Sequence, residues 1–240
     1  FLKSLAAIGI GSGSIFTSKA NAFSLDNLDY NAADIWDQIR AGYRLKPDYI
    51  NLENGYYCFL PEETLEKYIE HIREVNYQGA YYMRTVKVAD KAKSAAKVAE
   101  LVGADPEEVV LTRNTTESLD LIISGYPWKS GDEAIFSNQD YGSMQTMFEL
   151  ASKRWGIKTV KIDIPLHPES DEEIVEVYRK AITPKTRLML VPHIVNITGH
   201  ILPVRKIADM AHEHGVEIML DGAHAVGHFT FDLHELDCDY

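Results

Sequence analysis

Residues 216–228 read VEIMLDGAHAVGH, an apolar run that ends in a carboxylate and is followed by two glycines and two histidines. Such a run is typical of a strand that is buried on both faces of a parallel sheet. In open α/β sheets, ligands bind beyond the carboxyl ends of the strands, which is where Asp221 stands. The alternative interpretation is that Asp221 only caps the turn that follows.

The chain before this strand alternates between strand and helix patterns. The predicted strands are Val109–Thr112, Glu133–Ser137, Lys158–Ile164, Arg187–Pro192 and Val216–Asp221. The predicted helices are Glu62–Val75, Asp90–Val102, Thr116–Gly125, Met144–Trp155, Asp171–Ala181 and Pro203–His214. This alternation predicts an α/β fold, with a mostly parallel sheet that is covered by helices on both faces. Functional residues are then expected in the loops that follow the strands.

Composition narrows the classes of partner. The 240 residues are 45% hydrophobic and 25% charged, which is enough apolar content for a sizeable core. The formal net charge is -12 and no block of consecutive Lys or Arg occurs, so we expect no nucleic-acid partner. Cys58 and Cys238 lack the spacing of a metal knuckle or a CxxC redox pair, which favours plain thiols.

Metal and nucleotide sites have little support in the pattern. His212 and His214 stand two apart on a predicted helix, and the pair His224 and His228 begins in a loop without a metalloprotease glutamate. No GxGxxG or GxxxxGK motif follows any predicted strand. We therefore predict no metal site and no dinucleotide-binding loop.

Residues 1–22 have the character of a probable export signal. They contain Lys3 and Lys19 but no acid, and their apolar run, Leu5–Phe16, is too short to span a bilayer. The sequence ANA at 20–22 has the small-x-small pattern of a signal-peptidase site. The opening FLK resembles the residues after the arginine pair of a twin-arginine signal, although the pair itself is not in the sequence. We expect a periplasmic or secreted protein without a stable membrane span; a disordered or membrane-surface N-terminus is the alternative.

Polar and aromatic residues follow successive strands at the predicted carboxyl edge of the sheet. Thr115 and Thr116 offer hydroxyls and backbone N–H groups at a helix N-terminus, which suits a phosphate, although helix capping alone explains the same residues. Tyr141 follows the next strand, where a ring either stacks on a flat heterocycle or simply packs. Asn196 and Asp221 add an amide and a carboxylate. Together these groups predict a phosphorylated pyridine as the ligand.

In order and context, segment 114–118, Tyr141, Asn196 and segment 221–224 resemble the class V branch of the fold-type I pyridoxal 5'-phosphate (PLP) enzymes. That branch includes aminotransferases, cysteine desulfurases and isopenicillin N epimerase-like proteins. The similarity covers about residues 51–240, and the DGAH sequence at 221–224 is its most specific part.

The resemblance also implies a domain organisation. Residues 77–240 correspond to the large PLP-binding domain, incomplete at its C-terminus, and residues 23–76 contribute to the small domain. The C-terminal part of the small domain is expected to be missing. A homodimer is implied as the assembly.

The resemblance further implies a role for each site residue. Asp221 would hold the pyridine nitrogen protonated, so that the ring acts as an electron sink for the carbanion formed at the substrate Cα. His224 would lie beside the phenolic oxygen together with Asn196, and these groups would tune the Schiff base. Asp221 and His224 are thus the expected catalytic residues.

The phosphate and the ring face complete the implied site. Thr115 and Thr116 would hold the phosphate, and Tyr141 would stack on the ring where the family often has a histidine. The family's Schiff-base lysine follows the Asp strand by roughly one more strand, whereas Lys206 precedes that strand and the sequence ends at Tyr240. We therefore expect a fragment that stops short of its catalytic lysine, and of the arginine that binds the substrate carboxylate.

These features lead us to expect a PLP-dependent enzyme that acts on an amino acid or a related amine through a Schiff base and a carbanion. Segment 51–57 and Tyr141 favour the aminotransferase or isopenicillin N epimerase-like group. A cysteine desulfurase or C–S lyase is the first alternative, although neither Cys58 nor Cys238 matches the desulfurase cysteine loop. The second alternative is a binding protein that keeps the fold without the chemistry.

Overall fold

The structure of this chain is a computed structural model that describes residues 28–240. The chain divides into two compact units, one that ends at Lys97 and one that comprises Val98–Tyr240. The export signal predicted at residues 1–22 lies outside the described residues and stays a prediction, as do the domain boundaries predicted after residues 22 and 76. None of the described helices combines the length and the apolar character needed to cross a membrane.

The first unit is helical in its described part. It contains α1 (Ile35–Ala41), α2 (Glu62–Gln78), a π-helical segment (Tyr82–Val86) and most of α3 (Lys87–Val102). Helix α2 begins directly after Pro61, and the glutamates of its first turn interact favourably with the helix dipole. None of its side chains is buried. The predicted helices over 62–75 and 90–102 are thus confirmed, and each is longer than predicted.

The second unit is built on four parallel strands. Their bounds are β1 (Glu133–Ser137), β2 (Lys158–Ile162), β3 (Thr186–Pro192) and β4 (Glu217–Asp221). The order across the sheet is β2-β1-β3-β4. In the register of β3 with the edge strand β4, Pro192 lies opposite Asp221, so these two strands end at the same level. The predicted parallel sheet is confirmed.

Helices cover both faces of this sheet because successive strand residues point to opposite sides. The helices are α4 (Thr115–Gly125), α5 (Gly142–Trp155), α6 (Asp171–Ala181), α7 (Val204–Glu213) and the short α8 (Leu233–Leu236). Met189 and Ile218 pack with residues of α6 and α7. Their chain neighbours Leu190 and Met219 pack with α4 and α5 on the other face. The core therefore has two layers, one on each side of the sheet.

The strand predicted at Val109–Thr112 is wrong. This segment follows a 3-10 turn, Pro106–Glu108, and forms no strand. Val110 is 78% exposed, and the Thr112 hydroxyl is engaged at the start of α4, 2.6 Å from the Ser118 hydroxyl. A strand-like sequence needs a partner strand to satisfy its backbone groups, and residues 28–240 offer none at this place.

The α5 side of the core supports a stability prediction. Phe136 and Phe148 are both fully buried and stack with ring centroids 5.0 Å apart. Phe148→Ala removes one of these two rings and leaves a cavity, which should lower the free energy of unfolding by about 3–5 kcal/mol. Leu150→Ala, on the same helix but half exposed, is the matched control and should change it far less. Urea titrations of both variants test this; equal losses would contradict the packing described.

Candidate functional site

Strand β4 ends in Asp221, whose carboxylate lies at the carboxyl edge of the sheet. Its Oδ1 accepts the backbone N–H of Ala223 at 3.0 Å, and its main-chain carbonyl accepts the N–H of His193 at 2.9 Å. Burial raises the pKa of Asp221, and the Ala223 hydrogen bond and the charge of His224 oppose that rise. Within the described chain, Oδ2 has no hydrogen-bond donor and remains available to a ligand.

The turn after β4 brings His224 beside Asp221. The turn is closed by the N–H groups of Ala225 and Val226, which donate to the Gly222 carbonyl at 2.9 and 3.2 Å. The His228 ring nitrogen Nδ1 contacts the carbonyl of His224, which fixes the backbone at that residue. The two residues predicted as catalytic are thus neighbours that interact electrostatically.

Helix α4 begins with two open N–H groups. Asn114 is its N-cap, and the Asn114 side chain accepts the Glu117 N–H at 2.9 Å. The backbone N–H groups of Thr115 and Thr116 have no acceptor in the part of the chain that the structure describes. Arg113 lies 3.0 Å from Glu117 and offsets its negative charge. The helix dipole and the free donors therefore favour an anion at this end.

The direction of α4 places this end at the same edge of the sheet as Asp221. Tyr126 directly follows α4, and its hydroxyl donates to the Arg187 carbonyl near the start of β3 at 3.3 Å. The C-terminal end of α4 therefore lies at the amino edge of the sheet. An 11-residue helix spans about 16 Å, close to the ~16 Å length of a five-residue strand. The N-terminus of α4 thus reaches the level of the carboxyl edge.

Two predicted site residues have weaker links to this edge. Tyr141 is the N-cap of α5, directly after the β1 loop, and packs against the core layer that contains α4 and α5. Asn196 is exposed in a turn after β3, which the N–H of Gly199 closes by donating to Val195 at 2.7 Å. No hydrogen bond joins Asn196 to Asp221 in the described chain. The roles assigned to both residues stay predictions.

Asp140 is the residue that the sequence analysis missed. It lies in the loop after β1 and is only 4% exposed. Its Oδ2 accepts the Ser137 N–H at 2.6 Å, and its Oδ1 is buried without a partner among residues 28–240. Burial raises the pKa of Asp140 to about 7, the Ser137 hydrogen bonds oppose that rise, and the charge of Asp221 adds to it. A second carboxyl group therefore interacts electrostatically with Asp221.

His193 is a further buried polar group at this edge. It follows β3, is 4% exposed, and its ring centroid lies 4.9 Å from those of Phe229 and Phe231. Its Nδ1 has no hydrogen-bond partner in the described part of the chain, and burial lowers the pKa of the imidazole. His193 is therefore neutral near pH 7 and brings no charge to the carboxylates.

His212 and His214, the first of the histidine pairs that raised the question of a metal, have protein partners. His212 Nε2 lies 3.0 Å from an Asp239 carboxylate oxygen, and His214 Nδ1 lies 2.8 Å from the Met210 carbonyl. An exposed group of Asp105, Glu108 and His234 brings its donor atoms within 4.8 Å of one another. His234 Nε2 is 2.9 Å from Glu108 Oε2, so these side chains already tie α8 to the 3-10 turn. The absence of a metal site stays a prediction.

The comparison with known families decides the class of this site. Residues 59–240 match the family model for aminotransferase class-V. The chain belongs to the aminotransferase class-V family. Among its relatives, an isopenicillin N epimerase from Streptomyces clavuligerus is 27% identical over 205 residues, which are 85% of this chain and 52% of that protein. A probable cysteine desulfurase from Synechocystis sp. is 29% identical and covers 80% of this chain and 46% of that protein.

Solved structures agree with this class V assignment. The Escherichia coli cysteine desulfurase CsdA has a TM-score of 0.69 at 25% identity and covers 85% of this chain and 52% of that one. A C-DES mutant with glycine covalently linked to its PLP cofactor also has a TM-score of 0.69, at 24% identity, and shows the shared fold. It covers 77% of this chain and 49% of that one. The chain spans about half the length of the curated relatives it matches.

The raised pKa of Asp140 leads to a prediction about stability. Between the pKa of an unfolded Asp, about 3.9, and about 7 in the folded chain, the folded state keeps a proton that the unfolded state has lost. The wild type should therefore lose stability as pH rises through this window, by up to about 1.4 kcal/mol per unit. Asp140→Asn has no such proton. Its free energy of unfolding relative to that of the wild type should therefore increase with pH until the pKa of Asp140 in the folded chain is passed.

Urea titrations from about pH 5 to pH 8 measure the difference in unfolding free energy between Asp140→Asn and the wild type. Asp209→Asn, an exposed change on α7, is the control and should give a difference that hardly varies with pH. A pH-independent difference for Asp140→Asn would contradict the burial of this carboxyl group.

Proposed function

We propose that the protein is a PLP-dependent enzyme that acts on an amino acid or a related amine. The observation that carries this proposal is the pair of ligand-binding features at one edge of the sheet: the partly buried Asp221 carboxylate and the open N–H groups of Thr115 and Thr116. PLP has a basic ring nitrogen and an anionic phosphate, so the residues present fit both of its charged parts. Membership of the aminotransferase class-V family supports the same cofactor.

Each residue then has a defined task. The Oδ2 atom of Asp221 accepts a hydrogen bond from the protonated ring nitrogen and keeps that proton in place. The backbone N–H groups of Thr115 and Thr116 would donate to the phosphate oxygens and anchor that end of the cofactor. By the family resemblance, His224 and Asn196 would lie beside the phenolic oxygen, and Tyr141 would stack on the ring. When bound, PLP supplies an electron-withdrawing ring that stabilises negative charge at the substrate Cα.

The finer activity that we propose is that of an aminotransferase or an isopenicillin N epimerase-like enzyme. The match to the isopenicillin N epimerase covers 85% of this chain at 27% identity, and Tyr141 stands where the desulfurases have a histidine by resemblance. Both reactions begin with removal of a proton from Cα and differ in where the proton returns. We propose a homodimer as the working assembly.

Cleavage of a C–S bond is the second candidate, because desulfurases are prominent among the relatives and the solved structures. That chemistry requires a thiolate nucleophile in the desulfurases. Burial raises the pKa of Cys238 to about 12, so this thiol stays protonated near neutral pH. Cys58 is exposed and lies in the first unit. Neither thiol is therefore assigned a catalytic role.

The proposal is tested on the purified full-length protein mixed with PLP. Cofactor binding is followed by visible absorbance before and after borohydride, and exchange of the substrate α-proton is followed by NMR in D₂O with a panel of amino acids. The wild type should retain PLP and exchange the proton, and Asp221→Ala should lose the exchange while Asp209→Ala keeps it.

Three other outcomes are informative. Release of sulfide or persulfide from cysteine would favour the C–S lyase alternative. Retention of PLP without proton exchange would favour a binding protein that lacks the chemistry. A wild type that retains no PLP would contradict the proposal itself.

The phosphate site supports a separate prediction. Thr115→Pro removes one open N–H at the first position of α4, where proline is compatible with a helix, and the extended Asn114 before it accepts a proline. The loss of one charge-assisted hydrogen bond, about 1.5–3 kcal/mol, should weaken PLP binding roughly 10- to 100-fold. Asp171→Pro, at the first position of α6, is the matched control and should leave the Kd unchanged. Equal affinities for all three proteins would exclude this helix end as the phosphate site.

A further inference from the structure

Two carboxyl groups share the carboxyl edge of the sheet. Asp221 ends β4, and Asp140 follows β1, with β3 between the two strands. Because neighbouring strands lie about 4.8 Å apart, the carboxyl ends of β1 and β4 are separated by roughly 10 Å. Asp140 is 4% exposed, so little water screens its interaction with Asp221. The charge of Asp221 therefore acts on Asp140 and adds to the rise in the pKa of Asp140 that burial causes.

Asp140 is held rigidly in the loop. Its Oδ2 accepts the Ser137 N–H at 2.6 Å, and its backbone carbonyl accepts the Gln145 side-chain amide at 2.8 Å. Both bonds fix the loop directly before Tyr141, which starts α5. The carboxyl group therefore cannot turn away from the core to reach water.

The groups that face Asp140 do not neutralise it. The Tyr178 hydroxyl of α6 is fully buried and has no hydrogen-bond partner among the residues that the structure describes; burial raises the pKa of this phenol, and Asp140 adds to that rise. His193, after β3, is neutral, and Asp163, after β2, is exposed and binds Asn138 at 2.6 Å. In residues 28–240, Asp140 forms no ion pair with Lys, Arg or His. Below a pKa of about 7 a bound proton neutralises Asp140, and above it a ligand with a positive charge would stabilise the ionised carboxyl group.

We propose that Asp140 is a positioning residue that acts through Asp221: its buried carboxyl group adds negative charge behind Asp221 and thereby selects the protonated form of a pyridine ring bound there. The inference rests on the proposed function and assigns a role to a residue that does not itself touch the ring. Charge on Asp140 and the proton on the ring nitrogen stabilise each other, and this coupling is reciprocal. Two unit charges about 10 Å apart, at an effective dielectric constant of about 20, correspond to roughly a tenfold effect on binding.

The test uses pyridoxine 5'-phosphate, which has the ring nitrogen and the phosphate but forms no Schiff base. Its Kd is measured by calorimetry for the full-length wild type and for Asp140→Asn, below and above the pKa of about 7. Asparagine has the shape of a protonated Asp140 and retains an acceptor for the Ser137 N–H. At low pH, where Asp140 is neutral, the two proteins should bind equally; at high pH the wild type should bind roughly tenfold more tightly.

Two matched variants separate charge from structure. Asp163→Asn changes an exposed aspartate beyond the neighbouring strand, and its Kd should match the wild type at every pH because water screens that charge. Tyr178→Phe removes a buried hydroxyl near Asp140 without changing the charge near neutral pH. The ratio of the Kd of this variant to that of the wild type should therefore not vary with pH. If the ratio of the Kd of Asp140→Asn to that of the wild type is the same at low and high pH, the inference is overturned.

The failure of this inference and the failure of the proposed function give different results. If the wild type binds pyridoxine 5'-phosphate and Asp221→Ala weakens it, the proposed function stands, and an unchanged Asp140→Asn then overturns only the role of Asp140. If the wild type does not bind the ligand at any pH, the proposed function fails and the inference fails with it.

Discussion

Parallel strand pairing is the constraint on which the candidate site depends. Every strand of the second unit runs in the same direction, so the loops that follow β1, β3 and β4 all reach one edge. The pairing of Pro192 with Asp221 puts the ends of β3 and β4 at the same level. The helix layers on both faces keep water away from these ends. Polar groups that are far apart in the sequence are thereby brought together at one poorly solvated edge of the sheet.

Poor solvation gives these polar groups their character. A carboxylate in water is well hydrated, whereas Asp140 and Asp221 receive one or a few backbone hydrogen bonds in place of that hydration. Their negative charge is therefore destabilising in the free protein and is relieved by a ligand that brings positive charge. Such a ligand stabilises the folded state by mass action, because the unfolded chain does not assemble the site. Stability and cofactor affinity are linked in this arrangement.

Local signals in the sequence predicted much of the fold. Ser170 and Glu173 have capping-box spacing, and Ser170 is the N-cap that accepts the Glu173 N–H at 3.3 Å, while the Glu173 side chain accepts the N–H of Glu169, one residue before the N-cap, at 2.8 Å. Gly215 was expected to close a helix, and it follows the C-cap of α7 with a φ of +68°. These features depend on residues three or four apart, so the sequence alone is enough to find them.

Features that depend on distant contacts were not predictable in the same way. Val109–Thr112 has the composition of a strand, but a strand exists only where a neighbour pairs with it. Asp140 looks like one more polar loop residue, since its burial depends on how the loop after β1 folds back and on how α6 brings Tyr178 near it. The roles of Tyr141 and Asn196 came from family resemblance, and no contact of the described residues yet tests them.

The most direct test of the account concerns the proton between Asp221 and the ring. PLP labelled with ¹⁵N in its pyridine ring, bound to the full-length protein, reports by NMR whether that nitrogen is protonated. The account predicts a protonated ring nitrogen at a pH where the free cofactor has lost this proton, and loss of that protonation in Asp221→Ala. An unprotonated nitrogen in the wild type, or the same signal in both proteins, would contradict the central role of Asp221.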